Sequence, residues 1–353
     1  MSLRFLFSGC CSLMIGGAIL LSACRGASNQ TQQKTAKDSV AAKKVDTISP
    51  RIDLLSKRIA SNPKDADSYW KRGILQAALG KYNPAILDYQ LAIKIDSTEP
   101  EYHYSLADAD FSVGHTRDAK DEFEKCINLD PKSTAAMMRL GELYFYVKKY
   151  PEAIDFIDQA LKVNPYQAKA YFMKGLIFLE KHDTAKAISS MQTAVEQDTK
   201  YFDAYIQLGL VFTSKGNPVA LTYFDDAINT KPGNVEAYYD KGMFYQTVQD
   251  YDKAIKAYEQ LLQVDSSYKF AFYNIGVIYF IHYKDYKQSI HYFSRAIHAD
   301  SAYSLALYGR GNCYQQLGQK DKALGDFSAA LHYNPGFIAA SDAMKDLQGK
   351  SHK

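Results

Sequence analysis

Tryptophan is nearly absent from this 353-residue chain, with one copy at Trp70, and its five cysteines include no Cys-x-x-Cys pair. Zinc ribbons and thioredoxin-like redox motifs need thiols paired at short spacing, so both are excluded. The formal net charge is only +3, too weak a field to draw nucleic acid or an acidic lipid surface. No His-Glu-x-x-His, phosphate loop or Gly-x-Ser-x-Gly occurs, so the familiar carriers of metalloprotease, nucleotide and serine-hydrolase chemistry are missing. His291 and His298 stand seven apart and are the best metal-ligand pair, but no third ligand of evident geometry lies near them. Asp108 and Asp110, two apart on a helix, point in different directions. We therefore expect a non-enzyme with no cofactor, metal, nucleic-acid partner or small-molecule substrate.

Long apolar runs are also scarce. One stands at the N-terminus: Arg4, then Phe5 to Leu21, then Leu21-Ser22-Ala23-Cys24. Its seventeen residues are short for a spanning helix, and the layout is that of a targeting segment over 1–23. Small residues and a cysteine closing an apolar run resemble the lipobox of bacterial lipoproteins. The resemblance implies cleavage before Cys24, lipidation of Cys24 and anchorage in the bacterial cell envelope. Cleavage after Ala23 as an ordinary secretory signal, or an uncleaved anchor, are the alternatives. Arg25 rather than Asp follows the cysteine; in the lipoprotein sorting rule this leans toward the outer membrane, with the face left open. A tri-acylated cysteine would hold stably, since each buried CH₂ contributes about 0.8 kcal/mol and more than one chain is needed.

Residues 24–48 read as lipidated Cys24 and a polar linker, with Gln30, Gln32, Lys34, Lys37, Lys43 and Lys44 among Ser, Thr and Ala. A flexible coil of this length spans roughly 25–30 Å. A capping helix is expected over 49–65, where Leu54, Leu55 and Ile59 form a one-sided stripe before Asn62-Pro63.

The rest of the chain is periodic. Gly73, Gly141, Gly175, Gly209, Gly242, Gly276 and Gly311 recur at steps of 34 residues or close to it, with Ala107 filling the one gap. Counting each unit so that this residue is position 8, position 20 or its equivalent is Ala in seven units and Ser289 in the other. Position 24 reads Tyr89, Phe123, Ile157, Met191, Phe224, Tyr258, Phe293 and Phe327. Positions 4, 8 and 11 share one face of a first helix, and 20, 24 and 27 one face of a second. The small residues at 8 and 20 let the two backbones approach. Proline near position 32, as in Pro131, Pro165, Pro232 and Pro335, stops the second helix, and the preceding Asp130, Asn164 and Asn334 favour a turn. Unit five is one residue short around Gly216-Asn217-Pro218, and unit seven one long around Tyr283-Lys284-Asp285. Both changes are expected in the turn between helices, where length costs little.

These positions resemble the signature of the tetratricopeptide repeat (TPR) family: aromatic, Leu, Gly, Tyr, Ala, Phe, Ala and Pro. The resemblance covers eight units over residues 66–335. It implies an all-α fold, a right-handed α-solenoid of antiparallel helix pairs, closed over 336–353 by a capping helix from Phe337 to Leu347 and a tail. Cys126 and Cys313 then fall more than five repeats apart, too far for a disulfide, and read as small core residues.

In this family first helices line a concave groove, with positions 2, 5, 9 and 12 pointing inward. The residues expected to contact a partner here are Trp70, Tyr104, Phe111, Phe145, Phe172, Tyr239, Tyr273, Phe280 and Tyr308, taken as dispensable for packing within a repeat; the alternative is that some of them are core between repeats. Aromatic anchors of this kind carry about 2 kcal/mol or more each when truncated. Asp108, Glu142 and Glu101 point to tolerance for a basic flank. The Lys and Asn clamp of chaperone-tail TPRs is not rebuilt by Asn274 and Asn312 alone. The function expected is a lipid-anchored scaffold that binds a protein or peptide from the envelope. The alternatives are a self-associating component of a secretion, pilus or outer-membrane assembly machine, and an adaptor for a wall hydrolase or protease.

Overall fold

The computed structural model describes residues 48–349. Cys24, the targeting segment and the linker up to residue 47 lie outside the described residues. The described residues form eighteen α-helices, one π-helical turn and no strand. They fall into two compact units that divide between Thr199 and Lys200.

The N-terminal unit opens with α1 (48–61). Four antiparallel pairs follow: α2 (Ala66–Ala78) with α3 (Tyr82–Ile95), α4 (Pro100–Ser112) with α5 (Thr116–Leu129), α6 (Thr134–Tyr146) with α7 (Tyr150–Val163), and α8 (Ala168–Glu180) with α9 (Thr184–Gln197). The C-terminal unit holds four more: α10 (Phe202–Thr213) with α11 (Val219–Thr230), α12 (Val235–Thr247) with α13 (Tyr251–Val264), α14 (Lys269–Ile278) with α15 (Tyr286–Ala299), and α16 (Ser304–Gln316) with α17 (Lys320–Tyr333). It ends on α18 (Ile338–Gly349), two residues beyond the expected end of the capping helix.

The core of each pair is a ring or long side chain seated on a glycine. A methyl group added at Gly73 would stand 2.5 Å from Cε1 of Tyr89, and one at Gly311 2.6 Å from Cε1 of Phe327. Gly175 would meet Met191 in the same way, at 2.5 Å. The glycine thus makes room for the side chain at position 24 first, and for the partner backbone second (Ala153 O lies 3.3 Å from the site at Gly141). Phe123, Phe224, Tyr258, Phe293 and Phe327 are completely buried, each contributing about 1.5–3 kcal/mol by leaving water. Position 20 is sealed by fully buried Ala, or in α15 by Ser289, whose hydroxyl donates to Gly276 O at 2.8 Å.

Local chemistry sets the helix ends. Asp65, Asp183, Asn234, Asp250 and Asp285 cap first-turn amides with side-chain oxygens, each cap worth about 1 kcal/mol. Second helices close on an Asx turn: Asp96, Asp130, Asn164, Asp265 and Asp300 accept from the amide two residues on, at 2.9–3.1 Å. Between the helices of every pair stands one residue in the left-handed region. Four are glycine (Gly80, Gly114, Gly216, Gly318) and four are not: Lys148, His182, Gln249 and Lys284, at φ 53–62°.

The extra residue of unit seven is not held in the loop, contrary to expectation. It is taken up in the end of the first helix, where Tyr279–Tyr283 winds as a π turn. Aromatic contacts reward that choice: Tyr279 stacks on Tyr292 at 5.6 Å, and His282 stacks on Tyr251 of the preceding repeat at 3.7 Å. Cys126 and Cys313 are free and buried.

Candidate peptide-binding face

Within each unit successive first helices touch: α2 with α4, α4 with α6 and α6 with α8, then α10 with α12 and α14 with α16. Successive second helices make no comparable contact among the described residues. The layer whose members lie closer together is the inner one, so first helices line the inner face of each unit.

All nine aromatic residues expected on that face are half-buried. Four of them, at position 5, lean on the position-24 ring of their own repeat: Tyr104 on Phe123 at 5.9 Å, Tyr239 on Tyr258 at 5.8 Å, Tyr273 on Phe293 and Tyr308 on Phe327, both at 5.7 Å. In the C-terminal unit three of these rings also reach the residue that begins the next repeat. Tyr239 meets Tyr268 at 5.9 Å, Tyr273 meets Tyr303 at 5.3 Å and Tyr308 meets Phe337 at 5.0 Å. The contacts within a repeat correct the expectation that these residues are dispensable for packing there, while the contacts to the next repeat match the alternative of packing between repeats. The glycine at position 8 exposes the edge of the ring beneath it, and the position-5 ring is the side chain that covers that edge. Each such pair contributes about 0.5–1.5 kcal/mol beyond its buried area.

The other five are placed differently. Trp70 donates Nε1–H to Ser105 Oγ at 2.9 Å and lies 5.6 Å from Tyr102. Phe111 packs edge-on to Tyr146 at 6.1 Å and carries the Arg139 guanidinium 5.1 Å above its ring. Phe145 tilts against Tyr150 at 6.1 Å. Phe280 sits in the π turn, 5.7 Å from Tyr286. Phe172 lies on α8, half-buried.

Asp108 and Glu142 are not open to a basic flank. Arg139 donates Nε–H to Asp108 at 2.6 Å and pairs with Glu142, which also holds Lys169. Burial works against the Arg139 charge, but the two carboxylates outweigh it and raise the guanidinium above its ordinary value. Burial, followed by Asp108, pushes the Tyr104 phenol upward. The ladder Asp108–Arg139–Glu142–Lys169 therefore ties three repeats together on the inner face and leaves little net charge there.

Two polar features escaped the sequence reading. Tyr258 is fully buried yet donates to Gln246 Oε1 at 2.5 Å and accepts from Asn274 at 3.1 Å, while Asn274 also donates to Tyr239 at 3.2 Å. Burial holds this phenol well above its usual range. The second is a row of cations at position 7. Arg72 and Arg310 fork onto Asp88 and Asp326 at 2.7–2.8 Å and reach Ser56 and Ser294 on the preceding helices, α1 and α15, and Lys174 and Lys241 pair with Asp158 and Asp225. Leu106, Leu140, Leu208 and Ile275 fill that slot elsewhere, all buried. A separation of sixteen residues between cation and carboxylate was the available signal, but it looks like noise until the repeat geometry brings the two sites together. Among the described residues no group of three or more His, Cys, Asp or Glu could hold a metal ion, and no helix is long and apolar enough to cross a membrane.

The inner face thus offers fixed rings, aliphatic edges such as Leu176, and amides such as Gln315 and Asn312. Its chemistry is that of recognition by shape and hydrogen bonding. The sequence pattern of the tetratricopeptide repeat matches residues 66–99, 104–171, 143–202, 235–268 and 304–337, together more than half the chain. No curated protein matches. Among solved structures, the C-terminal part of a TPR repeat-containing protein from Cytophaga hutchinsonii is 23% identical, covering 69% of this chain and 98% of that one, with a TM-score of 0.59. PilF of Pseudomonas aeruginosa is 18% identical, covering 58% and 95%, with a TM-score of 0.50. Both likenesses concern the fold alone. Repeat sequence, paired helices and fold agree, and the chain belongs to the tetratricopeptide repeat family.

Proposed function

We propose that this protein is a non-enzymatic scaffold, lipid-anchored through Cys24 in a bacterial cell envelope, that holds a segment of another envelope protein on its first-helix face. The observation that carries this reading is the row of position-5 rings. At Tyr104, Tyr239, Tyr273 and Tyr308 one side of the ring is fixed by the ring beneath it, and the residue stays half-exposed. A ring immobilised before binding loses little entropy on contact, which favours affinity. With Asp108 and Glu142 already paired, the segment that fits is apolar or aromatic and uncharged, extended or helical.

Alanine substitution of Tyr239 or Tyr273 would test packing as much as binding, so a crosslinker is the sharper probe. A photo-reactive residue is placed at Leu176 or Met243 on first helices, and at Lys162 or Lys256 on second helices, in intact cells. One polypeptide captured at the first pair and not at the second is the expected result. Equal capture at all four sites, or none at Leu176 and Met243, refutes the groove. The anchor is tested separately: a Cys24→Ser chain is expected to leave the membrane fraction, and its retention there would end that part of the proposal.

A further inference from the structure

His291 and His298, set aside as a metal pair for want of a third ligand, line a crevice of about 400 Å³ between α15 and the loop that precedes α14. Arg295 stands between them on the same face of the helix, one turn from each. A guanidinium in that place repels a metal cation and attracts an anion. Its geometry is held: the Arg295 Cζ lies 4.3 Å above the ring of Phe272, which is itself buried. A guanidinium stacked on an aromatic face keeps its N–H edge free to fork onto an oxyanion. Among the described residues no carboxylate forms an ion pair with Arg295, in contrast to the arginines at position 7.

The remaining walls point the same way. Ser294 accepts from Arg310 at 3.0 Å, which leaves its own O–H to donate, and Ser266 lines the loop side. His298 occupies the last turn of α15. Neighbouring acids are engaged elsewhere, Asp300 with Lys269. Asp265 accepts the amide and hydroxyl of Ser267 at 2.9 and 2.7 Å within its own loop, and Glu259 takes the Tyr292 hydroxyl at 3.4 Å. We propose that this crevice is a binding site for a phosphate-type oxyanion, with Arg295 as the forked donor, His291 and His298 flanking it, and Ser294 and Ser266 completing the shell. The volume leaves room for a substituent on the phosphoryl group, so a phosphate ester fits as well as the free ion. The site does not use the first-helix face and stands whether or not a peptide binds there.

The test uses the full-length chain with its histidine rings labelled for NMR. Inorganic phosphate is titrated at fixed pH, with sodium chloride holding the ionic strength constant. Saturable shifts of the two resonances that His291→Gln and His298→Gln remove are expected. Arg295→Gln should weaken binding by roughly tenfold or more, because charge-assisted hydrogen bonds are lost, and Arg295→Lys should weaken it too, since the charge stays but the fork goes. Circular dichroism of both variants verifies that the exposed substitution leaves the fold in place. Shifts that never saturate, affinity unchanged in both Arg295 variants, or acetate binding as tightly as phosphate would each overturn the proposal, the last by assigning the crevice to carboxylates.

Discussion

Adding one methyl group at Gly311 and one at Gly325 should move stability in opposite directions. Both glycines lie inside helices of the last repeat, α16 and α17. In each, alanine gains about 0.8–1 kcal/mol of helix propensity. At Gly325 nothing lies within 4 Å of the new carbon, so the full gain should appear. At Gly311 the new carbon would stand 2.6 and 2.8 Å from Cε1 and Cδ1 of Phe327, a fully buried ring. Overpacking of that kind costs about 1–3 kcal/mol, which leaves Gly311→Ala about 1 kcal/mol less stable. The second repeat shows that the cost is finite, since Ala107 and Phe123 occupy the same two positions and both are buried. The two variants should therefore differ by about 2 kcal/mol, up to about a 30-fold difference in the folding equilibrium. Urea midpoints at constant slope measure it, with hydrogen exchange in α16 and α17 as a local readout, because repeat arrays do not always unfold in one step. Phe327→Leu, which has no atom at Cε1, should make the loss in the double variant smaller than the sum of the single losses. If both glycine substitutions shift the midpoint the same way, or the Phe327 variant shows no coupling, the ring-on-glycine account is wrong.

Glycine at the left-handed turn positions Lys148, His182 and Gln249 should stabilise by about 0.5–1 kcal/mol each, since a Cβ there costs about 1–2 kcal/mol and glycine's extra chain entropy takes back part of the relief; urea midpoints check this. Asp326→Ala strands Arg310 against the core and should cost about 2 kcal/mol or more, whereas Arg310→Leu with Asp326→Ala should recover most of it, as the buried leucines at the same position in other repeats indicate; thermal melts of the three chains decide. Burial pushes the Cys313 thiol from about 9 up to about 11. A raised folded-state value means the native chain holds the proton that the unfolded chain releases, so this contribution is whole below pH 9 and is lost between pH 9 and 11. Cys313→Ala should flatten the alkaline loss of stability in that window. Both Cys126 and Cys313 should resist alkylation in the native protein and react in denaturant, read by mass.

Much of the fold was legible because a repeat states its message eight times. Gly, Ala and the large residue at position 24 recur at fixed steps, so the helix pairs, their ends at Asp or Asn, and the burial of Cys126 and Cys313 all followed from one pattern. Contacts that occur once were not legible. Asn274 is an ordinary polar residue until Tyr258 and Tyr239 converge on it, and Lys269 reads as surface until Asp300 and the rings of Phe270 and Tyr303 enclose it. The left-handed turn residue was hidden because half its positions are not glycine.

The candidate face divides in the same way. Sequence periodicity alone placed Tyr104, Tyr239, Tyr273 and Tyr308 on first helices, since helical spacing and the glycine register leave no other assignment. Only the tertiary structure decided that these rings rest on the position-24 side chain, because that contact exists only once the second helix folds back. Likewise the sequence determined that Asp108, Arg139, Glu142 and Lys169 are charged, and the stacking of repeats decided that they neutralise one another. Arg295, one more cation in the sequence, became a candidate anion ligand only through the tertiary structure, in which Phe272 holds it in place.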